Sequence, residues 1–226
     1  MVDNDEYVGS PDRIALARRS ASLWLLLRDN PRYAYYGRLV ALSDPGLDTA
    51  DILSAMARLQ GAAVSYFYPA NAAKSLFAQL EERGLATDRH EHFWGGAAAL
   101  AASRRAQENL VLPADLQIST INPGTPRELV REVAELCQSC DVMPVPGSIM
   151  RGQGRKGICL VATDRDRRPV ATASSYMIHH PSSPHAEDAF GECWRRAKTG
   201  EVKKLPCFLV RRQSFICGNA TGCAAS

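Results

Sequence analysis

From Pro11 to Phe190 the apolar residues fall into two kinds of pattern, helical stripes and short runs suited to strands. Pro11–Arg28 carries Ile14, Leu16 and Leu23 through Leu27, which predicts a helix with a dense apolar end. That end is far shorter than the roughly 20 residues of a membrane span, so it predicts core packing. Leu39–Leu42 and Val64–Tyr68 read as strands, with an amphipathic helix over Asp48–Gln60 between them. Pro69–Arg83 is a second helix, striped by Ala72, Ala73, Leu76, Phe77 and Leu80 and closed by Gly84. Ala97–Leu110 reads as a helical or irregular connector.

Asp115–Ile121 alternates as a half-buried strand does. Asn122-Pro123-Gly124 then turns the chain, with Thr125 as N-cap, Pro126 in the first helical position and Glu128 in the third. Leu129, Val130, Val133, Leu136 and Cys137 put one apolar face on the following helix. Ile158–Ala162 and Val170–Ile178 are two strands joined by the charged turn Thr163–Arg168.

Beyond Phe190 the period is lost and the composition changes. Gly191–Ser226 holds seven Lys/Arg against two Asp/Glu and four of the seven cysteines, Cys193, Cys207, Cys217 and Cys223. Met1–Phe190 holds twenty Lys/Arg against twenty-two Asp/Glu, so the formal charge of +3 belongs to the tail. The genetic code offers a test, because each pair of neighbouring codons constrains the codon one base upstream. Cys193–Trp194 forces Leu in that frame, and Trp194–Arg195 most simply gives Ala. Continuing this way, with free bases chosen for a foldable product, yields a string that contains LATREDRRGEKIALFLGAQ. It has the strand, basic glycine turn and amphipathic helix that the actual tail lacks. We read the tail as out-of-frame translation after the loss of one base near Phe190.

The recovered string resembles the acetyl-CoA-binding segment of the GNAT family of N-acetyltransferases. There a strand leads into an Arg/Gln-x-x-Gly-x-Gly/Ala turn and a helix. Glycines let backbone amides close on the pyrophosphate at a helix N-terminus, and basic side chains neutralise its oxygens. The recovered turn departs from that pattern, with Glu and Lys after its single Gly. In the chain itself Pro169-Val170-Ala171-Thr172-Ala173 is similar to a hairpin strand of the same family. So is the order strand, helical stretch, strand, turn, strand from about Leu110. Ala73–Leu85 with Arg89–Trp94 resembles the family's last helix and strand.

The resemblance implies an α/β chain with a mixed, mostly antiparallel sheet flanked by helices, GNAT-like but incomplete, preceded by a small α/β N-terminal region. It divides the chain into residues 1–109, possessing a degenerate GNAT-like half, 110–190, the N-terminal half of an acetyltransferase domain, and 191–226, a disordered tail. It implies acetyl-CoA as co-substrate and a small-molecule or peptide amine as acceptor. Ser174, Ser175 and Tyr176 are placed on the substrate side. No catalytic pair is assigned, and no cofactor-binding residue is retained, because the pyrophosphate turn is replaced from Gly191 onward. The strand beside that turn is cut near Ala189–Phe190, which leaves Val170–Ile178 as an open sheet edge. The expected outcome is an inactive chain; the alternative is an interaction protein with a basic, Cys-rich tail.

Other chemistry is read as structural. Cys137-Gln138-Ser139-Cys140 lies at a helix end with no second in-frame pair, so no metal is expected. Arg151-Gly152-Gln153-Gly154-Arg155-Lys156-Gly157 is followed by a strand rather than a helix, which predicts a mobile loop on the substrate side instead of a phosphate cradle. His179, His180 and His185 lie among Pro and Ser, which predicts a solvated loop. The slightly acidic body removes the main support for nucleic-acid binding. An acidic start without a secretion signal and an odd, unpatterned cysteine count predict a cytoplasmic protein off the membrane.

Overall fold

Residues 6–89, 95–108, 110–154 and 156–195 are described by a computed structural model of the chain. It has two units. One contains Pro11–Glu91 and Ile178–Glu187, and the other contains the described residues of Met1–Ser10, His92–Met177 and Asp188–Ser226. The expected strand at Arg89–Trp94 and the tail beyond Arg195 lie outside the described residues.

In the first of these, helix α1 (Pro11–Leu27) packs on α2 (Thr49–Gln60) and on strand β2 (Val40–Leu42). Of its apolar end, Leu23, Trp24 and Leu27 pack against Tyr35, Val40 and Met56, with Trp24 stacked on Tyr35 at 5.5 Å between centroids, whereas Leu25 and Leu26 are exposed, contrary to the core packing expected of them. Strand β1 (Tyr33–Tyr35) pairs antiparallel with β2, and β3 (Val64–Ser65) pairs parallel with β2, as a strand–helix–strand crossover allows. Leu42, Ala50 and Leu53 share a core with Leu76 and Leu80 of α3 (Ala73–Glu82). Gly84 takes φ +79° just past α3, the left-handed stop that its sequence position predicted. The strand expected over Val64–Tyr68 is shorter, because Phe67 has φ +58°, a conformation incompatible with a ladder for a bulky residue.

In the other unit, α4 (Ala97–Glu108) buries no residue. Strand β4 (Gln117–Ile121) leads to α5 (Arg127–Gln138) and α6 (Gly147–Met150), then to β5 (Gly157–Thr163), β6 (Pro169–Met177) and β7 (Ala189–Arg195). These strands form one antiparallel sheet in the order β4-β5-β6-β7. The fold is thus mixed α/β with antiparallel sheet pairing. Val130, Val133, Leu136 and Cys137 of α5 are buried, and α5 packs on β6 and β7. Thr125 is not the N-cap expected for α5. Pro126 holds that position, and the Thr125 hydroxyl oxygen instead accepts the Asn122 N–H at 2.9 Å within the turn. Among the described residues, no helix is long and apolar enough to cross a membrane.

Two expectations are overturned here. The strand cut near Ala189–Phe190 is not cut: β7 runs through Arg195 and pairs with β6 along its length, from Met177↔Ala189 to Ala171↔Arg195. So β6 is not an open edge. Any extended backbone satisfies the hydrogen-bonding groups of a strand edge, whatever the composition of its side chains. The alternating half-burial expected of β4 is also absent, since Gln117 through Thr120 are all exposed and only Ile121 is buried.

The start of β5 admits no side chain. A Cβ on Gly157 would lie 2.7 Å from the Ser175 carbonyl oxygen and against the Tyr176 ring. The carbonyl belongs to the paired strand and cannot yield. Gly157→Ala is therefore expected to cost about 1–3 kcal/mol of overpacking strain, read as a lower urea midpoint for the β5–β6 amides in hydrogen exchange.

Candidate functional site

Alternation along β6 sorts the three residues expected on the substrate side. Ser174 and Tyr176 are buried on the face packed by α5, whereas Ser175 is half-buried on the opposite face. The register carries this sorting into β7: Tyr176 opposes Phe190, Ser174 opposes Glu192 and Thr172 opposes Trp194. Thr172, Ser174 and Tyr176 of β6 and Glu192 and Trp194 of β7, with Cys137 and Val133 of α5 and Cys159 of β5, line a crevice beneath the helix.

The crevice is nearly filled. Its free space, about 10 Å3, is that of a single water molecule. Ser174 and Tyr176 are both buried on this side, beneath α5. The Ser174 hydroxyl lies 3.5 Å from a Glu192 carboxylate oxygen, at the outer limit of a hydrogen bond. Among the described residues, Glu192 is the one carboxylate lining the crevice. Sequence reading passed over it because it lies in the segment taken as out of frame. No local signal marks it, since Phe190, Glu192 and Trp194 mix apolar and charged types and all of β7 is half-buried.

The Cys159 thiol is pushed up to about 11, chiefly by burial, with a smaller contribution from the Glu192 charge, against hydrogen bonding from Thr172 and Tyr176. It stays a protonated, non-nucleophilic thiol at neutral pH. Cys137 is buried on α5, and the Cys140 thiol donates to the Arg195 carbonyl at 3.2 Å. The two thiols thus have separate structural surroundings. Among the described residues, no three His, Cys, Asp or Glu side chains stand together in a group that could hold a metal ion.

The glycine-rich segment after α6 is anchored at its first residue, while Gly152, Gln153, Gly154 and Lys156 are exposed. Arg151 is buried and grips the Glu6 carboxylate with two N–H groups, each at 3.0 Å. Its third nitrogen donates to the carbonyls of Asn122 (3.2 Å), Pro123 (3.4 Å) and Thr125. This fork holds the turn between β4 and α5 against the N-terminal segment.

Of the three histidines expected in a solvated loop, His179 and His185 are packed, whereas half-exposed His180 sits in an exposed turn and accepts the Ser182 N–H at 3.0 Å. Tyr35 N–H donates to the Ile178 carbonyl, and Ala34 forms a bridge with His179, so this segment extends the small sheet beyond β1. His179 is buried, with Nδ1 3.0 Å from the Ser43 hydroxyl and its ring edge-on to Tyr66. His185 stacks on Phe67 at 3.6 Å between centroids. Ser43 is itself fully buried, so this Ser–His contact is a packing hydrogen bond out of reach of a substrate.

No protein-family model matches the chain, and neither does any curated protein or solved structure.

Proposed function

We propose that the unit built on β4–β7 is the N-terminal half of a GNAT-type N-acetyltransferase domain. By descent its activity is transfer of an acetyl group from acetyl-CoA to an amine, and this chain has lost that activity. The observation that carries the reading is the topology. A four-stranded antiparallel sheet in sequential order, with two helices, α5 and α6, between its first and second strands, is the arrangement the resemblance implies. The parallel β2–α2–β3 unit followed by α3 supports a second, degenerate half of the same kind in the first hundred residues.

In the family, an amine attacks the thioester directly while a backbone amide polarises the carbonyl and a carboxylate or water takes the proton; the C–S bond breaks and coenzyme A leaves as a thiolate that is then protonated, often by a tyrosine. The pyrophosphate turn directly follows the strand that corresponds to β7. Here the chain after that strand reads Arg196-Ala197-Lys198-Thr199-Gly200-Glu201, which does not fit Arg/Gln-x-x-Gly-x-Gly/Ala. Without that turn the coenzyme loses its phosphate anchor. Ser175, on the sheet face away from α5, is the residue of the expected three that remains open to an acceptor. Glu192 lies in the replaced segment and receives no inherited role.

Among the described residues, Cys137, Cys140, Cys159 and Cys193 are not joined in disulfides, which supports a reducing, cytoplasmic setting. The near-neutral body argues for an amine acceptor rather than a nucleic acid or a membrane surface as the ancestral partner. Calorimetric titration with acetyl-CoA tests the proposal. The chain is expected to give no binding heat, while a version carrying the recovered reading frame after Phe190 regains micromolar binding. Micromolar binding by the chain as it stands, or none by the repaired one, overturns it.

A further inference from the structure

We infer that β4 is a self-pairing edge through which two copies of this chain join their sheets antiparallel. Among the described residues, β4 is the terminal strand of its sheet, paired only with β5. Exposed edge strands are ordinarily guarded by lysine, proline, a bulge or a covering element. Gln117-Ile118-Ser119-Thr120-Ile121 contains no charge and no proline. Its pairing with β5 runs without a register shift, and its first four residues are exposed. Ile118 is among the large apolar residues left open to solvent, as are Val111 and Leu112 just upstream.

The choice of a second copy as occupant follows from charge and symmetry. A two-fold antiparallel pair centred on Ser119 sets Ile118 of one copy opposite Thr120 of the other, and Gln117 opposite Ile121. Both are pairs of types that strands favour or tolerate, and the β-branched Ile–Thr pair recurs on each side of the axis. Extending the pair outward sets Leu116 opposite Asn122 and Asp115 opposite Pro123. Asp115 is the only ionisable residue from 115 to 123, so the symmetric register brings no like charges together. The product is a continuous eight-stranded sheet with an isologous contact.

The inference stands apart from the acetyltransferase reading and is tested by sedimentation equilibrium on the full chain over a wide concentration range. The mean mass is expected to rise from 24.7 kDa toward twice that value as concentration increases. The variant I118K/T120K, altered at two exposed positions, sets lysine opposite lysine twice across the axis and is expected to stay monomeric. The variant I118K/T120E sets lysine opposite glutamate and is expected to recover the dimer, with a salt-sensitive affinity. A parent chain that remains monomeric overturns the inference. So does association that both variants retain, which would place it on another surface, or that both lose, which would exclude this register.

Discussion

Arg151→Met is expected to lower the stability of the β4–β7 unit by about 3–5 kcal/mol, the usual consequence of removing one partner of a buried ion pair. The Arg151 side chain is 8% exposed and that of Glu6 14%, so neither has much recourse to water. Glu6 retains Arg127 at 3.0 Å, but Arg127 is 77% exposed and offers a weak, solvated substitute. The Asn122, Pro123 and Thr125 carbonyls also lose their common donor, which loosens the turn entering α5. A domain has a net stability of about 5–15 kcal/mol, so this loss takes it close to the unfolding threshold. Hydrogen exchange of the β5 and β6 amides reads the effect in this unit alone. The double variant Glu6→Gln/Arg151→Met should be less destabilised than Arg151→Met, because the stranded carboxylate is gone. Equal loss in both would show that Arg151 acts through the carbonyls and not through Glu6.

The same pair sets an acid limit. Hydrogen bonding to Arg151, foremost, holds the Glu6 carboxyl below its ordinary range, against the opposing effect of burial. A carboxyl whose folded pKa is depressed stabilises the fold fully above its unfolded value, and that contribution disappears as pH falls through the folded value. The β4–β7 unit should therefore weaken from the ordinary glutamate range downward, and the Glu6→Gln chain should show a flatter acid limb. Both slopes are measurable as urea midpoints against pH.

How much of this was legible beforehand varies with the range of the interaction involved. The helices at Thr49, Ala73 and Arg127 were visible because each carries an apolar face, and the one at Pro11 because of its dense apolar end. The β5–β6 hairpin was visible because its turn is charged and local. Strand β1 and helix α6 were not, since three and four residues are too few to show a period. β7 was dismissed on charge and cysteine content, yet its backbone pairs with β6 regardless, and its side chains alternate in step with Thr172, Ser174 and Tyr176. Ser174, Ser175 and Tyr176 were placed together on the substrate side, yet neighbours on a strand face opposite ways, and only the placement of α5 decides which are buried. The histidine segment was illegible for a different reason. Its partners Ser43, Tyr66 and Phe67 lie more than a hundred residues upstream, and nothing local marks such a contact.

Gln60 shows the same limit and leads to the second large effect. It was read as the last polar residue of a helix, yet it is fully buried. Strand β3 begins too late to pair with Val40, because the register opens at Ala41↔Val64. The Gln60 amide completes the ladder in its place. Its oxygen accepts the Val40 N–H at 3.1 Å, and its nitrogen donates to the carbonyls of Val40 and Ala62, each at 2.8 Å. Gln60→Leu strands the two Val40 groups in the core, at ~1–3 kcal/mol each, so a loss on the order of 3–4 kcal/mol is expected. Gln60→Glu separates the donor role from the acceptor role. At neutral pH its carboxylate would face two carbonyl oxygens with no proton to offer, and it should be less stable than Gln60→Leu. Burial and those carbonyls raise the folded pKa of such a carboxyl, so its penalty grows with rising pH and fades once the acid is protonated. Below the ordinary glutamate range the protonated acid donates one bond again, and the order of the two variants should reverse. Urea midpoints of both variants across pH, read by α2 amide exchange, decide this. If the order is the same at every pH, the Gln60 nitrogen is not the group that holds the end of β2.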